Sequence, residues 1–237
     1  MPDEILKVNE VYAGYGKVDV LHGISIGARE GQTTCIIGPN GCGKSTLFNV
    51  ICGVIKPTRG NVTFCGEDIT RLSSDAILGR GISVSPQGRR VFPFMTVDEN
   101  LDMGGYTTKD REELDRRKNE IYSQFYRLRE RKNQLAGSLS GGEQVLLCLA
   151  RSLIMRPRIV LLDEPSLGLA PNVREEVFQT ILDMKKSLLI IEQNVRKAIN
   201  ISDYVYVLDL GKNKFEGTPK QILGNQDLVK LYMGKLA

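Results

Sequence analysis

The stretch that decides the fold is Gly38-Pro39-Asn40-Gly41-Cys42-Gly43-Lys44-Ser45-Thr46. It has the spacing of a phosphate-binding loop, in which a glycine is followed by four residues and then Gly-Lys-Ser. The β-branched and apolar run from Thr33 to Ile37 precedes it and predicts a buried parallel strand. The residues from Ser45 to Cys52 predict a helix that Gly53 ends. Strand, loop and helix therefore occur in the order that the motif requires.

The chemistry of this loop suits a bound triphosphate. Its glycines let the backbone curl so that successive N–H groups point at one anion. The N-terminus of the following helix adds a partial positive charge, and Lys44 adds a full one. The hydroxyl of Ser45 is a candidate Mg²⁺ ligand. The stretch predicts a nucleoside triphosphate site to which every residue from Gly38 to Thr46 contributes.

Composition narrows the class of protein. Of 237 residues, 41% are hydrophobic and 25% charged, as in an ordinary soluble globular protein. The net charge of +4 is small for this length and does not by itself indicate that the protein binds nucleic acid. The five cysteines form no Cys-x-x-Cys pair and favour a reducing compartment. The chain lacks a signal-peptide start and any apolar run near the roughly 18 residues of a spanning helix, so we expect it to be cytosolic.

The order of predicted elements indicates an α/β fold. The runs Ile5 to Val11 and Val18 to Ile26 predict a small antiparallel sheet ahead of the loop. Further strands are predicted at 61–66, 81–85, 159–164, 188–191 and 204–210, and helices at 96–103, 144–155, 172–186, 218–223 and 226–233. This alternation predicts a mostly parallel core sheet.

Residues 109–132 are dense in mixed charge. Apolar residues recur among them at helical spacing, which predicts a mostly exposed helical insert. Two roles stay open for this insert, a solvated face and a surface that docks a partner.

Asp163 and Glu164 end the apolar run that begins at Ile159. Ligands of open α/β sheets gather at the carboxyl ends of strands. An aspartate there can hold Mg²⁺ beside Ser45, directly or through water. Glu164 can then orient or deprotonate an attacking water. Alone the pair could be an acidic turn, but together with the upstream loop it predicts hydrolysis.

The run Leu139-Ser140-Gly141-Gly142-Glu143 resembles the signature of ABC-type ATPases. The motifs follow one another in the family's order, and the resemblance extends from about Ile5 to Leu236. Ser140 and the two glycines ahead of a helix form a second anion-binding nest. In the family, that nest closes on the γ-phosphate of ATP held by the other subunit, so that two cassettes enclose two nucleotides.

The resemblance implies a P-loop NTPase fold and one ABC ATPase domain over residues 1–237. A RecA-like core with an N-terminal antiparallel β-subdomain is expected at about 1–86 and 157–237. A helical subdomain that carries the signature is expected at about 87–156. The insert predicted from charge and spacing falls in this helical subdomain.

The resemblance also assigns roles to individual residues. Tyr15 is similar to the aromatic residue that stacks on adenine. Gln87 is similar to the glutamine that meets Mg²⁺ next to the transporter-docking groove. The implied catalytic residues are Lys44, Gln87, Glu164 and Gln193. The implied metal ligands are Ser45, Gln87 and Asp163. The implied ATP-binding residues, besides those of the loop, are Tyr15, Ser140, Gly141 and Gly142.

Several features of the sequence depart from the family pattern. Gln193 stands where the family has a switch histidine, and His22, the single histidine, is expected to be structural. Hydrolysis should then lack a histidine-linked step near pH 6.5. Lys44 and the helix N-terminus are expected to favour the thiolate of Cys42, so that a thiol reagent blocks nucleotide binding and Mg-ATP protects. The segment Met184 to Leu188 is shorter than the family norm.

The runs Gly88 to Pro93, Ser166 to Pro171 and Ile191 to Asn194 resemble the ATP-binding subunit of branched-chain (Liv-type) amino-acid importers. This resemblance implies an ATP-hydrolysing subunit that energises uptake of branched-chain or other hydrophobic amino acids. It would lie peripherally on the cytoplasmic side of the inner (plasma) membrane. The implied partners are a second ABC ATPase subunit, identical or paralogous, transmembrane permease subunits and, indirectly, a solute-binding protein, without nucleic acid.

Three alternative functions stay open. Importers of urea and short amides have similar ATPases. A soluble ABC protein that acts on ribosomes, DNA or cluster assembly is a second alternative, disfavoured by the single cassette and the modest charge. A nucleotide-binding regulator without turnover is the third, disfavoured by the intact Lys44, Asp163 and Glu164.

Overall fold

The structure, a computed structural model, describes residues 3–16 and 18–225. The strands are β1 (Glu4–Tyr15), β2 (Val18–Arg29), β3 (Thr33–Ile37), β4 (Arg59–Phe64), β5 (Glu67–Asp68), β6 (Ile82–Ser85), β7 (Ile159–Asp163), β8 (Ser187–Glu192), β9 (Tyr204–Asp209) and β10 (Lys212–Gly217). The helices are α1 (Lys44–Ile51), α2 (Ser74–Gly79), α3 (Val97–Gly104), α4 (Arg111–Gln124), α5 (Tyr126–Glu130), α6 (Gly141–Leu153), α7 (Pro171–Asp183), α8 (Val195–Ile201) and α9 (Pro219–Gly224). Within the described residues, none of these helices has both the length and the apolar character needed to cross a bilayer.

The larger sheet has the strand order β10-β9-β3-β8-β7-β6. Its strands run parallel from β9 to β6, and β10 at the edge is antiparallel to β9. Strands β3, β7 and β8 are buried along their whole length, as parallel strands covered on both faces should be. Because their carboxyl ends share one edge, Ile37, Asp163 and Glu192 lie near one another. The prediction of a mostly parallel core sheet is confirmed.

A hydrophobic core covers each face of the larger sheet. Side chains alternate along a strand, so Ile36 and Ile37 belong to different cores. The core that contains Ile36 is shared with β1, β2 and α1. The core that contains Ile37 is shared with α3, α6 and α7. The fold therefore has three layers, with the parallel sheet between an antiparallel sheet and a group of helices.

The smaller sheet is antiparallel and has the order β2-β1-β4-β5. It confirms the N-terminal antiparallel β-unit, but β1 reaches Tyr15 rather than the predicted Val11. Residues 12–15 pair with residues 18–22, and the segment predicted to link two strands therefore continues the hairpin. Gly14 permits this pairing because a Cβ there would lie 1.9 Å from the carbonyl oxygen of Val18.

The insert consists of two helices, α4 and α5, which are separated at Phe125. Many of its charged residues are exposed as expected, and its apolar stripe is buried in the helical core. Lys118 is also buried, with its ammonium 2.6 Å from Asp98 and 2.8 Å from Asp102. These ion pairs attach α4 to α3. A docking role for the insert stays a prediction.

The connection between α7 and β8 differs from the prediction. We expected the helix to continue to Lys186, but it ends at Asp183 and leaves residues 184–186 as a connection of ordinary length. Lys185 has a φ of 47°, which allows the chain to turn sharply there. The predicted final helix at 226–233 lies outside the described residues.

Candidate active site

The phosphate loop lies between β3 and α1, at the carboxyl edge of the larger sheet. Lys44 is buried, and its ammonium donates hydrogen bonds to the carbonyl oxygens of Gly38 at 2.8 Å and Pro39 at 3.0 Å. Gly43 precedes α1 with a φ of 106°. The first turn of α1 contains no acidic residue, so its partial positive charge is not neutralised locally. The loop thus concentrates positive charge at one point, as the sequence predicts.

The turn between β9 and β10 supports the phosphate loop from outside. The backbone N–H of Gly211 donates to the carbonyl oxygen of Cys42 at 3.0 Å. The backbone N–H of His22 donates to the carbonyl oxygen of Gly211 at 2.8 Å. Gly211 has a φ of 74°, and a Cβ there would lie 2.0 Å from the carbonyl oxygen of Val20. His22 therefore contributes its backbone to this support, while its side chain is exposed.

The prediction that the Cys42 thiolate is favoured is wrong. The side chain is buried, and burial raises the pKa of the Cys42 thiol above its ordinary value. The charge of Lys44, whose ammonium lies 4.0 Å from the sulfur, acts in the opposite direction but is the smaller effect. Removal from water disfavours an isolated thiolate, and the sequence does not show that burial.

Asp163 ends β7 with an unpaired buried oxygen. Burial, and next the charge of Glu164, raise the pKa of the Asp163 carboxyl to about 6, and Lys44 acts in the opposite direction. Its Oδ1 has no hydrogen-bond partner among the described residues. An unpaired buried carboxylate oxygen is costly, so a hard cation such as Mg²⁺ fits here. No group of three or more His, Cys, Asp or Glu side chains suited to a metal occurs in the described ranges.

Glu164 lies between two side-chain amides. Gln87 Nε2 donates to Glu164 Oε2 at 3.0 Å, and Gln193 Nε2 donates to Glu164 Oε1 at 2.7 Å. Glu164 is buried, and its own N–H donates to the carbonyl oxygen of Ile191 at 2.9 Å. The structure thus brings together three candidate catalytic residues that follow three neighbouring strands. Two uncharged donors orient the carboxylate while leaving it able to accept a proton.

The signature lies at the start of α6, a different helix from the one that follows the phosphate loop. Ser140 is exposed and caps the helix: its hydroxyl accepts from the N–H of Glu143, and Glu143 Oε2 accepts from the N–H of Ser140 at 2.8 Å. Gly142 packs closely on α7, since a Cβ there would lie 2.4 Å from Val173 Cγ1. No hydrogen bond or ion pair joins residues 140–142 to the phosphate loop within the described part of the chain. Residues 140–142 begin α6, whereas the phosphate loop precedes α1.

Tyr15 lies at the end of β1, in the smaller sheet. It ends β1 opposite Val18, and 57% of its surface is exposed. The ring is accessible to a planar ligand, and its stacking role stays a prediction.

Sequence reasoning missed two residues near this site. Arg89 Nη2 donates to the carbonyl oxygen of Gly168 at 2.9 Å, and its guanidinium lies close against Gly141. Arg89 thus connects the loop after Gln87 with the loop after Glu164. The second missed residue is Glu192, a buried carboxyl group at the end of β8. Its position after an apolar strand, like that of Asp163, is the signal that could have identified it.

Fold and site together define the class of this protein. A phosphate loop after a central parallel strand, an acidic strand end beside it and a glycine-rich helix start define an ATP-hydrolysing cassette. A family model described as ABC transporter matches residues 21–167, which is more than half of the chain. The chain belongs to the ABC transporter family and is an ATPase of that family.

Individual relatives agree with this assignment. The chain is 38% identical over 233 residues to the high-affinity branched-chain amino acid transport ATP-binding protein BraG of Pseudomonas aeruginosa, covering 97% of this chain and 100% of that protein. It is 36% identical over 234 residues to the probable branched-chain amino acid transport ATP-binding protein LivF of Archaeoglobus fulgidus, covering 97% and 99%. A solved ADP conformation of an ATP-binding cassette of an ABC transporter superposes with a TM-score of 0.88 at 32% identity, covering 98% of this chain and 99% of that one. The resemblance predicted from the motifs is confirmed.

Proposed function

We propose that this chain hydrolyses Mg-ATP to power an importer of branched-chain or other hydrophobic amino acids. The observation that carries the hydrolytic part is the position of Glu164, held by Gln87 and Gln193. The names of BraG and LivF support the solute class. We also propose that the RecA-like core and β-subdomain occupy about 1–86 and 157–237, and that the helical subdomain occupies about 87–156.

Each residue has a physical role in this proposal. The loop from Gly38 to Thr46 holds the triphosphate, with Lys44 turning from its two carbonyl acceptors towards phosphate oxygens. Ser45, Gln87 and Asp163 hold Mg²⁺, which neutralises phosphate charge when bound. Glu164 accepts the proton of the attacking water, which the amides on either side help to place.

Hydrolysis in this proposal needs a partner subunit. The nest formed by Ser140, Gly141 and Gly142 is separate from the subunit's own phosphate loop, and Ser140 is exposed. This arrangement supports contact between the nest and a nucleotide held by a second ABC ATPase subunit, identical or paralogous, with Tyr15 stacking on adenine from the binding side. Transmembrane permease subunits, and indirectly a solute-binding protein, complete the transporter at the cytoplasmic face of the inner (plasma) membrane. Nucleic acid is not a partner.

Transport by the assembled complex tests the solute class. Proteoliposomes that contain the chain with its membrane subunits should accumulate labelled leucine or isoleucine when ATP is present, and K44A should abolish this uptake. Uptake of urea or a short amide in place of leucine would favour the related importer class. Recovery of the chain in the cytosolic fraction, without a membrane partner, would favour a non-transport ABC ATPase.

A further inference from the structure

Glu192 occupies a position between two functional strands. It ends β8, which lies between β3 and β7 in the larger sheet. Its backbone is opposite Ile37, the last residue before the phosphate loop, and Ile191 is opposite Asp163. The carboxyl group therefore lies at the sheet edge where the nucleotide site is formed, yet no motif assigns it a role.

Three donors occupy both oxygens of this carboxyl group. Ser166 Oγ donates to Oε1 at 2.6 Å. The backbone N–H groups of Gln193 and Asn194 donate to Oε2 at 3.0 Å and 3.2 Å. Only 3% of Glu192 is exposed, and both of its carboxylate oxygens are engaged by these donors. Its role is that of a structural hydrogen-bond acceptor that connects two loops. A buried carboxyl group persists only where such donors satisfy it.

The contacts of Glu192 complete a ring around the proposed base. Gln193 donates through its side chain to Glu164 and through its backbone to Glu192. Glu192 in turn accepts from Ser166, which is two residues after Glu164 in the chain. Asn194, the third donor to Glu192, is the N-cap of α8. The ring therefore fixes the loop that follows Glu164 relative to the loop that carries Gln193.

We propose that Glu192 is a positioning residue for hydrolysis, which holds Gln193 and the loop around Ser166 in the geometry that orients Glu164. This inference rests on the proposed hydrolytic function. It assigns Glu192 no contact with nucleotide or metal. A misplacement of about 1 Å in a catalytic group can reduce turnover about a hundredfold, so loss of this ring should reduce kcat rather than ATP affinity.

Four variants test the proposal in the full chain assembled with its transport partners. E192A removes the acceptor, and S166A removes one donor. E192Q is the conservative variant, because its amide oxygen can accept from the two backbone N–H groups while its amide nitrogen donates to the Ser166 hydroxyl. S152A is the matched control, since Ser152 is a buried serine whose hydroxyl, among the residues that the structure describes, donates to the carbonyl oxygen of Leu149 alone.

We expect E192A to lower kcat about a hundredfold with KM for ATP changed less than about threefold. S166A should lower kcat about tenfold, and E192Q should retain kcat within about fivefold. Because both changes break the same ring, the double variant E192A/S166A should be no slower than E192A. An E192A protein with raised KM and unchanged kcat, or an E192Q protein as slow as E192A, would overturn the proposal. A kcat of S166A equal to that of S152A would also overturn the proposal. This comparison can be made even if E192A does not fold.

Hydrogen exchange separates this inference from the proposed function. The backbone amides of Gln193 and Asn194 should exchange at least about tenfold faster in E192A than in wild type, and near the wild-type rate in E192Q. This readout needs no turnover. If wild type does not hydrolyse ATP, the proposed function fails while exchange still decides whether Glu192 holds these loops. Unchanged exchange in E192A would overturn the positioning role.

Discussion

Replacing Asp163 with Asn should stabilise the ligand-free protein while it abolishes turnover. Burial and the neighbouring Glu164 raise the pKa of the Asp163 carboxyl from 3.8 to about 6, so the folded state holds the proton more tightly than the unfolded chain. Above pH 6 this difference corresponds to about 3 kcal/mol, or about 2 kcal/mol after allowance for screening by solvent. Asn carries no charge and should remove this cost.

The sign of the pH dependence follows from the direction of the shift. Below pH 3.8 the carboxyl is protonated in both states and costs nothing. As pH rises towards 6 the unfolded chain releases the proton first, so wild type loses stability across this window and then levels off. The advantage of D163N should therefore be less than about 1 kcal/mol at pH 4.5 and about 2 kcal/mol at pH 8.

Urea unfolding at pH 4.5 and pH 8, with a chelator and without nucleotide, measures this difference. The matched control is D19N, because Asp19 is an exposed aspartate. It should change stability by less than about 0.5 kcal/mol at either pH. A D163N protein that is no more stable than wild type at pH 8 would refute the reasoning. An equal gain at both pH values would refute it as well, since the gain would then not come from the charge.

Three further changes test other parts of the structure. At saturating Mg-ATP, the kcat of wild type should show no histidine-linked step near pH 6.5, whereas the kcat of Q193H should show one. Identical pH profiles of kcat would count against a role for position 193. K118A should lower the free energy of unfolding by about 2 kcal/mol, because it removes the buried ammonium that pairs with Asp98 and Asp102. ATP affinity should not change. G211A should weaken binding of a fluorescent ATP analogue about tenfold, because the added Cβ would displace the turn that supports the phosphate loop. Unchanged affinity would contradict a supporting role for this turn.

The features predicted well are those that a short stretch of sequence determines. The phosphate loop needs glycines and Lys44 in one run, and the acidic pair Asp163 and Glu164 ends one apolar strand. Both lie at the carboxyl edge of the sheet because parallel strands place their ends together. The approach of Gln87 and Gln193 to Glu164 follows from the same topology, once their strands are known to be neighbours.

The features that were missed depend on contacts between distant loops or on burial. The hydrogen bond from Ser166 to Glu192 joins residues 26 positions apart, and that from Arg89 to Gly168 joins residues 79 apart. No local pattern encodes such pairs. The error on Cys42 has the same origin, since a nearby lysine is visible in the sequence but the removal of the thiol from water is not.

The most direct test of the account is the turnover of the assembled transporter with E164Q in place of the wild-type chain. Wild type should release phosphate from Mg-ATP, while E164Q should bind Mg-ATP with similar affinity and retain it uncleaved. Phosphate release and nucleotide retention, measured on the same preparation, separate binding from chemistry. Phosphate release by E164Q at the wild-type rate would contradict the assignment of Glu164 as the group that activates water.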